Sequence, residues 1–253
     1  MKIRAYWYPE QNFGDRLTEI FLREYGLTPE RTEPDTAQIV CVGSVLEMIP
    51  EHYSGIIFGA GCMMEGTRKR FSKATISALR GRLTRERVSA TNEIPLGDPG
   101  LLISRWPIEG RSIHWPLGIL PHYVDQSDPR IHAIQARYPR DVRIIDVRLD
   151  PLLVVEEISR CECLLSSSLH GLVAADAIGV SNRWVVLSNN VCGEGFKFRD
   201  YYSAMDINAI PCAISENDSL SHLTQLCRQP SPRIPSIADS LHVTLQKIST
   251  TIE

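Results

Sequence analysis

The segment Ser166-Ser167-Ser168-Leu169-His170-Gly171 ends an apolar run and opens a stretch of small residues, so three hydroxyls and an imidazole stand where a strand hands over to a helix. The first amides of a helix have no internal partner and lie at its positive end, which makes such a junction a site for phosphate or carboxylate. His170 adds a group that exchanges protons near neutral pH. The alternative reading of the same residues is that Ser168 caps the helix and His170 makes a structural hydrogen bond. Asn12-Phe13-Gly14-Asp15 is a second such place. Asn12 and Gly14 read either as an Asx cap with a turn or as cleft residues, while Asp15 can orient a sugar hydroxyl, act as a base or complement the helix dipole. In the basic run 80–87, one or two arginines turned inward would suit bidentate contact with a dianion, against the alternative of a solvated helix face. Two glycines precede Lys197 in the segment 193–202, which reads as a mobile flap with Lys197 turned to an anion and Phe196, Phe198 and Tyr202 as core. His122, after a strand ending near Leu120, has a structural or a functional role.

These residues need a scaffold that brings strand ends together. Short apolar runs at 2–7, 38–42 and 55–58 alternate with an amphipathic stretch at 15–25, whose Leu17, Ile20, Phe21 and Tyr25 share a face and which Gly26 ends. The pattern restarts after residue 108. Strand-like runs at 112–120, 142–146, 163–166 and 183–187 alternate with helices at 129–137, from Pro151, and after Ser168. The class is α/β, with parallel sheets in two Rossmann-like domains, 1–108 and 109–229. Residues 230–253 form a proline-rich linker and a last helix whose Ile237, Leu241, Leu245 and Ile248 make one stripe that packs back. Two facing domains of this kind place a cleft at the carboxyl ends of their strands, where the marked residues fall.

Composition narrows the function. With 253 residues, 43% hydrophobic and 23% charged, and a formal charge of -3, the chain reads as a globular protein without a nucleic-acid partner. It has no membrane-spanning run and no secretory hydrophobic region at its start, so a cytoplasmic location is expected. The seven scattered cysteines read as reduced thiols. Cys161-Glu162-Cys163 is too tight for zinc and no H-x-x-x-H pair occurs, so no metal is expected. Gly59-Ala60-Gly61 lacks the rest of a dinucleotide loop, and no G-K-[ST] is present, so no nicotinamide cofactor is expected either.

Taken in order, Asn12-Phe13-Gly14-Asp15, Phe58-Gly59-Ala60-Gly61, Arg80-Gly81-Arg82-Leu83-Thr84-Arg85, Gly97-Asp98-Pro99, Pro121-His122-Tyr123 and Ser166 to Gly171 resemble the polysaccharide pyruvyl transferase family, above all its exopolysaccharide ketal pyruvyltransferases. The resemblance spans roughly residues 1 to 205. It implies a fold similar to GT-B glycosyltransferases, phosphoenolpyruvate as co-substrate without a cofactor, and a sugar hydroxyl pair as acceptor. It also implies His170 as the catalytic histidine and Arg80 as a donor-binding arginine. Lys197, Arg82 and the hydroxyls of Ser166, Ser167 and Ser168 are donor contacts on the reading of the residues themselves. A lipid-linked acceptor would imply peripheral contact with the inner membrane face, for which Arg68-Lys69-Arg70 is the candidate. Two departures stand out: Ser168 occupies a position where many relatives carry arginine, and Arg82 occupies the proline position of Arg-Gly-Pro-Leu-Thr. A nucleotide-sugar glycosyltransferase and a non-catalytic sugar-binding or scaffold protein of polysaccharide assembly are the competing readings.

Overall fold

The computed structural model describes residues 1–10, 12–108 and 112–251. Two parallel sheets organise it. The first has the order β2-β1-β3-β4-β5, from β1 (Lys2–Tyr6), β2 (Thr28–Arg31), β3 (Ile39–Val40), β4 (Ile56–Phe58) and β5 (Thr75–Ala78). The second has the order β7-β6-β8-β9, from β6 (Trp115–Leu120), β7 (Val142–Ile144), β8 (Cys161–Ser166) and β9 (Ser181–Trp184). In both, the chain adds its second strand on one side of the first and its third on the other. That reversal is the topological switch point of doubly wound sheets, and it lies between β1 and β3 in one sheet and between β6 and β8 in the other.

Local chemistry sets the helices that connect these strands. In α1 (Phe13–Glu24), Asn12 caps the first turn and Phe13, Leu17 and Phe21 recur at four-residue spacing on the buried face. α3 (Pro129–Arg137) and α4 (Pro151–Ser159) each begin with an aspartate cap, Asp128 or Asp150, followed by proline at the first helical position. Central strands β6 and β8 are buried over most of their length, as a parallel sheet covered on both faces requires.

Edge strands are where sequence and structure part. β2 is largely exposed and contains Pro29, and β5 lies just before the basic run 80–87; both sit at the margins of their sheet, where apolar patterning is weak. β9, also an edge strand, ends at Trp184 rather than reaching 187.

The chain also divides differently from a single cut after 108. One compact unit holds Met1–Leu102, Gly193–Ala209 and the chain from Pro235; the other holds Ile103–Cys192 and Ile210–Ile234. Residues 109–111, where the sequence places the start of the second domain, lie outside the described residues. The segment 193–202 is not a flap. It enters α6 (Phe196–Ser203), whose Phe196, Lys197, Phe198, Asp200 and Tyr201 are buried in the first unit, capped by Gly195 in the left-handed region at φ 77°. The last helix, α8 (Ile234–Thr251), buries Leu241, Leu245 and Ile248, and Ile237 meets Gly97 of the first unit.

Candidate active site

In the first unit the switch point brings together the end of β1, the start of α1 and the loop after β3. Asp15, third residue of α1, forms a reciprocal pair with the cap: its amide donates to Asn12 Oδ1 at 3.2 Å, and Asn12 Nδ2 donates to its carboxylate. Gly43, in the loop after β3, comes so close that a Cβ there would stand 3.7 Å from Asp15 Oδ1. Burial pushes the Asp15 carboxyl up to about 7, against the opposing pull of the Asn12 hydrogen bond and the Lys197 ammonium, with Glu10 adding a small upward push. Lys197, from α6, is itself buried, with its ammonium 5.7 Å from the centre of the Phe198 ring. A carboxyl that is half protonated near neutrality within the field of a buried cation can give or take a proton. Gly14, second residue of α1, is buried in the helix and Asn12 is occupied as its cap.

Arg80 is engaged by the protein itself. Its side chain has no exposed surface, and every side-chain nitrogen has a partner within the protein: Nε donates to Asp200 Oδ2 at 2.9 Å, Nη1 to Ser44 Oγ, and Nη2 to the Cys62 carbonyl at 2.5 Å. Asp200 also accepts from the Thr84 amide and from Thr84 Oγ1, both at 2.7 Å. Glycine makes this closeness possible, since a Cβ on Gly61 would fall 2.3 Å from the Arg80 guanidinium carbon and one on Gly81 would fall 1.8 Å from the Asp200 carbonyl oxygen. The arginine fixes α6, and with it Lys197, to the loop after β4. Arg82 opens α2 (Arg82–Arg87) half exposed, its Nε on the Ser203 carbonyl at 3.0 Å and its guanidinium paired with Asp206.

In the second unit the switch point joins the loops after β6 and β8. Ser166 Oγ contacts the Leu120 carbonyl at 2.7 Å and the Ser168 carbonyl at 3.0 Å, and accepts from the Ser168 amide. Ser167 Oγ donates to Asp125 Oδ2 at 2.7 Å and accepts from the His122 amide at 2.9 Å. The Ser166 and Ser167 hydroxyls are buried and satisfied by the protein, because strand-end carbonyls and a buried carboxylate need partners. Ser168 is the cap residue of α5 (Leu169–Ala177), but its side chain makes no capping bond. His170 is the second residue of α5 and half-buried. His122 caps a short 3-10 turn (Tyr123–Asp125), its Nδ1 accepting from the Val124 amide at 3.4 Å, and stacks on Tyr123 with ring centres 4.3 Å apart.

Sequence reasoning missed the two carboxylates on which these clusters turn, Asp200 and Asp125. A faint signal existed for Asp200: it sits four residues after Phe196 on the face of α6 that also carries Tyr201, a buried register at which a charge must have a partner. Among the described residues no group of three or more His, Cys, Asp or Glu is placed to hold a metal ion, and no helix is long and apolar enough to cross a membrane.

Two parallel α/β units with polar clusters at both switch points define the class, and comparison with known proteins adds the family. The polysaccharide pyruvyl transferase family model matches residues 12–189, and the chain belongs to that family. It is 30% identical over 162 residues to the uncharacterized protein L143 of Acanthamoeba polyphaga mimivirus, covering 60% of this chain and 55% of that one. It is 26% identical over 218 residues to the succinoglycan biosynthesis protein ExoV of Rhizobium meliloti (strain 1021), covering 81% of this chain and 66% of that one. The chain thus spans between about half and two thirds of the length of these curated relatives. Among solved structures, AviGT4, a glycosyltransferase involved in avilamycin A biosynthesis, is 12% identical with a TM-score of 0.46, over 99% of this chain and 96% of that one.

Proposed function

We propose that the protein transfers pyruvate from phosphoenolpyruvate to a pair of sugar hydroxyls as a ketal, in bacterial exopolysaccharide biosynthesis, with no further cofactor. Family membership supports the reaction class. The observation that carries the residue-level reading is Asp15, a carboxyl held by Asn12 at the start of α1 at a switch point, lifted to about 7 by burial and within the electrostatic reach of Lys197. The reaction needs a proton on the methylene carbon of phosphoenolpyruvate, which leaves a cationic centre at the neighbouring carbon. One sugar hydroxyl attacks that centre, the bond from carbon to the phosphate oxygen breaks, and the second hydroxyl closes the ketal. Of the two hydroxyl protons released, one balances the proton placed on carbon and the other leaves with phosphate.

Asp15 and His170 are the proton-handling groups in this reading, and Lys197 holds the donor's negative charge. Arg80, Ser166 and Ser167 are committed to the protein, and in the second unit Ser168 and the first amides of α5 are the groups of that junction left for an anion. The test is to incubate the full chain with phosphoenolpyruvate and a panel of bacterial repeat-unit glycans, reading phosphate release together with ketal-bearing product by mass spectrometry. His170→Ala and Asp15→Asn are each expected to lower turnover by about 10²- to 10⁴-fold with the fold retained. Near-normal turnover in either variant removes that residue from the chemistry, and sugar transfer from a nucleotide donor without ketal formation rejects the reading as a whole.

A further inference from the structure

A pocket of ≈ 620 Å³ in the first unit is lined by Arg68, Arg82, Arg85, Glu86, Ser89 and Leu96, with Ala90 and Thr91 completing the wall. Three guanidiniums against one carboxylate make its lining basic. Arg82 is paired with Asp206, whereas Arg85 donates from Nε to the Ala90 carbonyl and from Nη2 to the Asn92 carbonyl, each at 3.3 Å, which fixes Arg85 in the wall without a carboxylate partner among the described residues. Arg68 is exposed and has no hydrogen-bond or ion-pair partner among the described residues. Its neighbour Lys69 is instead tied down by the Leu46 and Glu47 carbonyls, both at 2.9 Å, so the basic triplet at 68–70 does not present three free charges to a membrane.

Ser89 is a second, independent oddity of the same wall. It follows the C-cap of α2 at φ 52°, the left-handed position that helices usually give to glycine, and for a serine this costs about 1 kcal/mol. Its Oγ is buried without a hydrogen-bond partner among the described residues. An unanswered hydroxyl in the wall of a basic pocket is a cost that a polar, anionic ligand would offset.

We infer that this pocket binds an acidic sugar unit, a carbohydrate bearing a carboxylate or a phosphate. The volume exceeds what a lone anion needs and lies within the range of small-molecule sites. Leu96 and Ala90 offer an apolar wall for a ring face, and the guanidiniums match a planar carboxylate or a phosphate. The Arg82 amide donates to Ser203 Oγ at 2.8 Å, at the far end of α6 from Lys197. Lys197 and Ser203 are six positions apart on this helix, about 9 Å along the axis. Resting on the pyruvyl-transfer reading, the pocket is the subsite for an anionic sugar of the acceptor glycan, adjoining the unit that reacts.

The test is a ligand-observed NMR titration of the full chain with glucuronate, glucose 1-phosphate and neutral glucose. At least one anionic sugar is expected to bind more tightly than glucose, and Arg68→Gln, an exposed change that leaves the fold alone, is expected to weaken that binding about tenfold. Ser89→Ala is expected to weaken it severalfold. Binding of glucuronate alone or of the phosphate alone identifies the anion. Equal affinity for glucose and both acids, or unchanged affinity in Arg68→Gln, overturns the inference. Phosphoenolpyruvate titrated into the same variants separates the two claims: its affinity should not change in Arg68→Gln. If it does not bind wild type while the acidic sugar still depends on Arg68, the pocket stands and the pyruvyl-transfer reading falls.

Discussion

The two units each bury a carboxylate at the centre of a polar cluster, but they satisfy it in opposite ways. In the first, Asp200 meets the Arg80 guanidinium, so charge faces charge with no exposed surface on either side chain. In the second, Asp125 receives hydroxyls, Ser167 on one oxygen and Ser188 on the other, with the Arg130 guanidinium acting on it only from further off. Both arrangements tie loops together at strand ends. Both also use up groups that a sequence reading assigns to a ligand: the conspicuous arginine of one unit and Ser167 of the other are bound to the protein's own carboxylates, and Ser166 is bound to backbone carbonyls. A motif suited to hold a phosphate can equally hold an internal carboxylate, and burial decides which.

This comparison can be broken at its charged end. Asp200→Ala leaves the Arg80 guanidinium buried without a counter-charge and is expected to destabilise the chain by about 3–5 kcal/mol, measured by urea denaturation. The double variant Asp200→Ala, Arg80→Met should recover part of that loss, since the cost lies in the orphaned charge rather than in the pair itself. No recovery in the double variant means that the cluster acts through its hydrogen bonds alone.

Asp15 sharpens the same contrast through pH. Its folded-state pKa of about 7 stands above the ordinary 3.8, so between those values the folded chain keeps a proton that the unfolded chain gives up. Stability conferred by this group is therefore full below pH 4, falls as pH rises towards 7 and is level beyond, a loss on the order of 2 kcal/mol once partial solvent access is allowed for. Asp15→Asn should remove that slope, as read by denaturation at pH 4, 5.5 and 7. An unchanged slope assigns the pH dependence to other groups.

At the uncharged end, Asp125→Asn keeps the shape and replaces one acceptor by a donor that faces a serine hydroxyl. Because hydroxyls can turn to accept, the expected cost is about 1–2 kcal/mol, below that of Asp200→Ala. A cost equal to that of Asp200→Ala would erase the distinction between the two hubs. The smallest effect belongs to the exposed helical pair Arg160 and Glu156, four residues apart, where Glu156→Ala should change stability by no more than about 0.5 kcal/mol.

What the sequence made legible follows from range. The start of α1 and the junction of β8 with α5 were readable because caps, small residues and apolar runs act over a few neighbours. The central strands were readable for the same reason, their burial being written as continuous apolar runs. The internal partner of Arg80 was not legible because it lies 120 residues away, nor was that of Ser167, which lies 42 residues away across two strand ends. The glycines before Lys197 suggested mobility, yet they serve a left-handed cap and a close approach to the Met63 carbonyl, which no local pattern announces. Asp15 lay between these cases. Its position was legible, but its raised pKa depends on burial that only the packed structure supplies.

The central claim is that the chain takes phosphoenolpyruvate as its donor through a charge held in the first unit. Calorimetric titration of the wild-type chain with phosphoenolpyruvate and, separately, with uridine-diphosphate sugars, repeated on Lys197→Gln, tests it most directly. The account predicts that phosphoenolpyruvate binds, that the nucleotide sugars do not, and that Lys197→Gln weakens the binding at least tenfold. Preference for a nucleotide sugar, or phosphoenolpyruvate affinity untouched by the loss of Lys197, would contradict it.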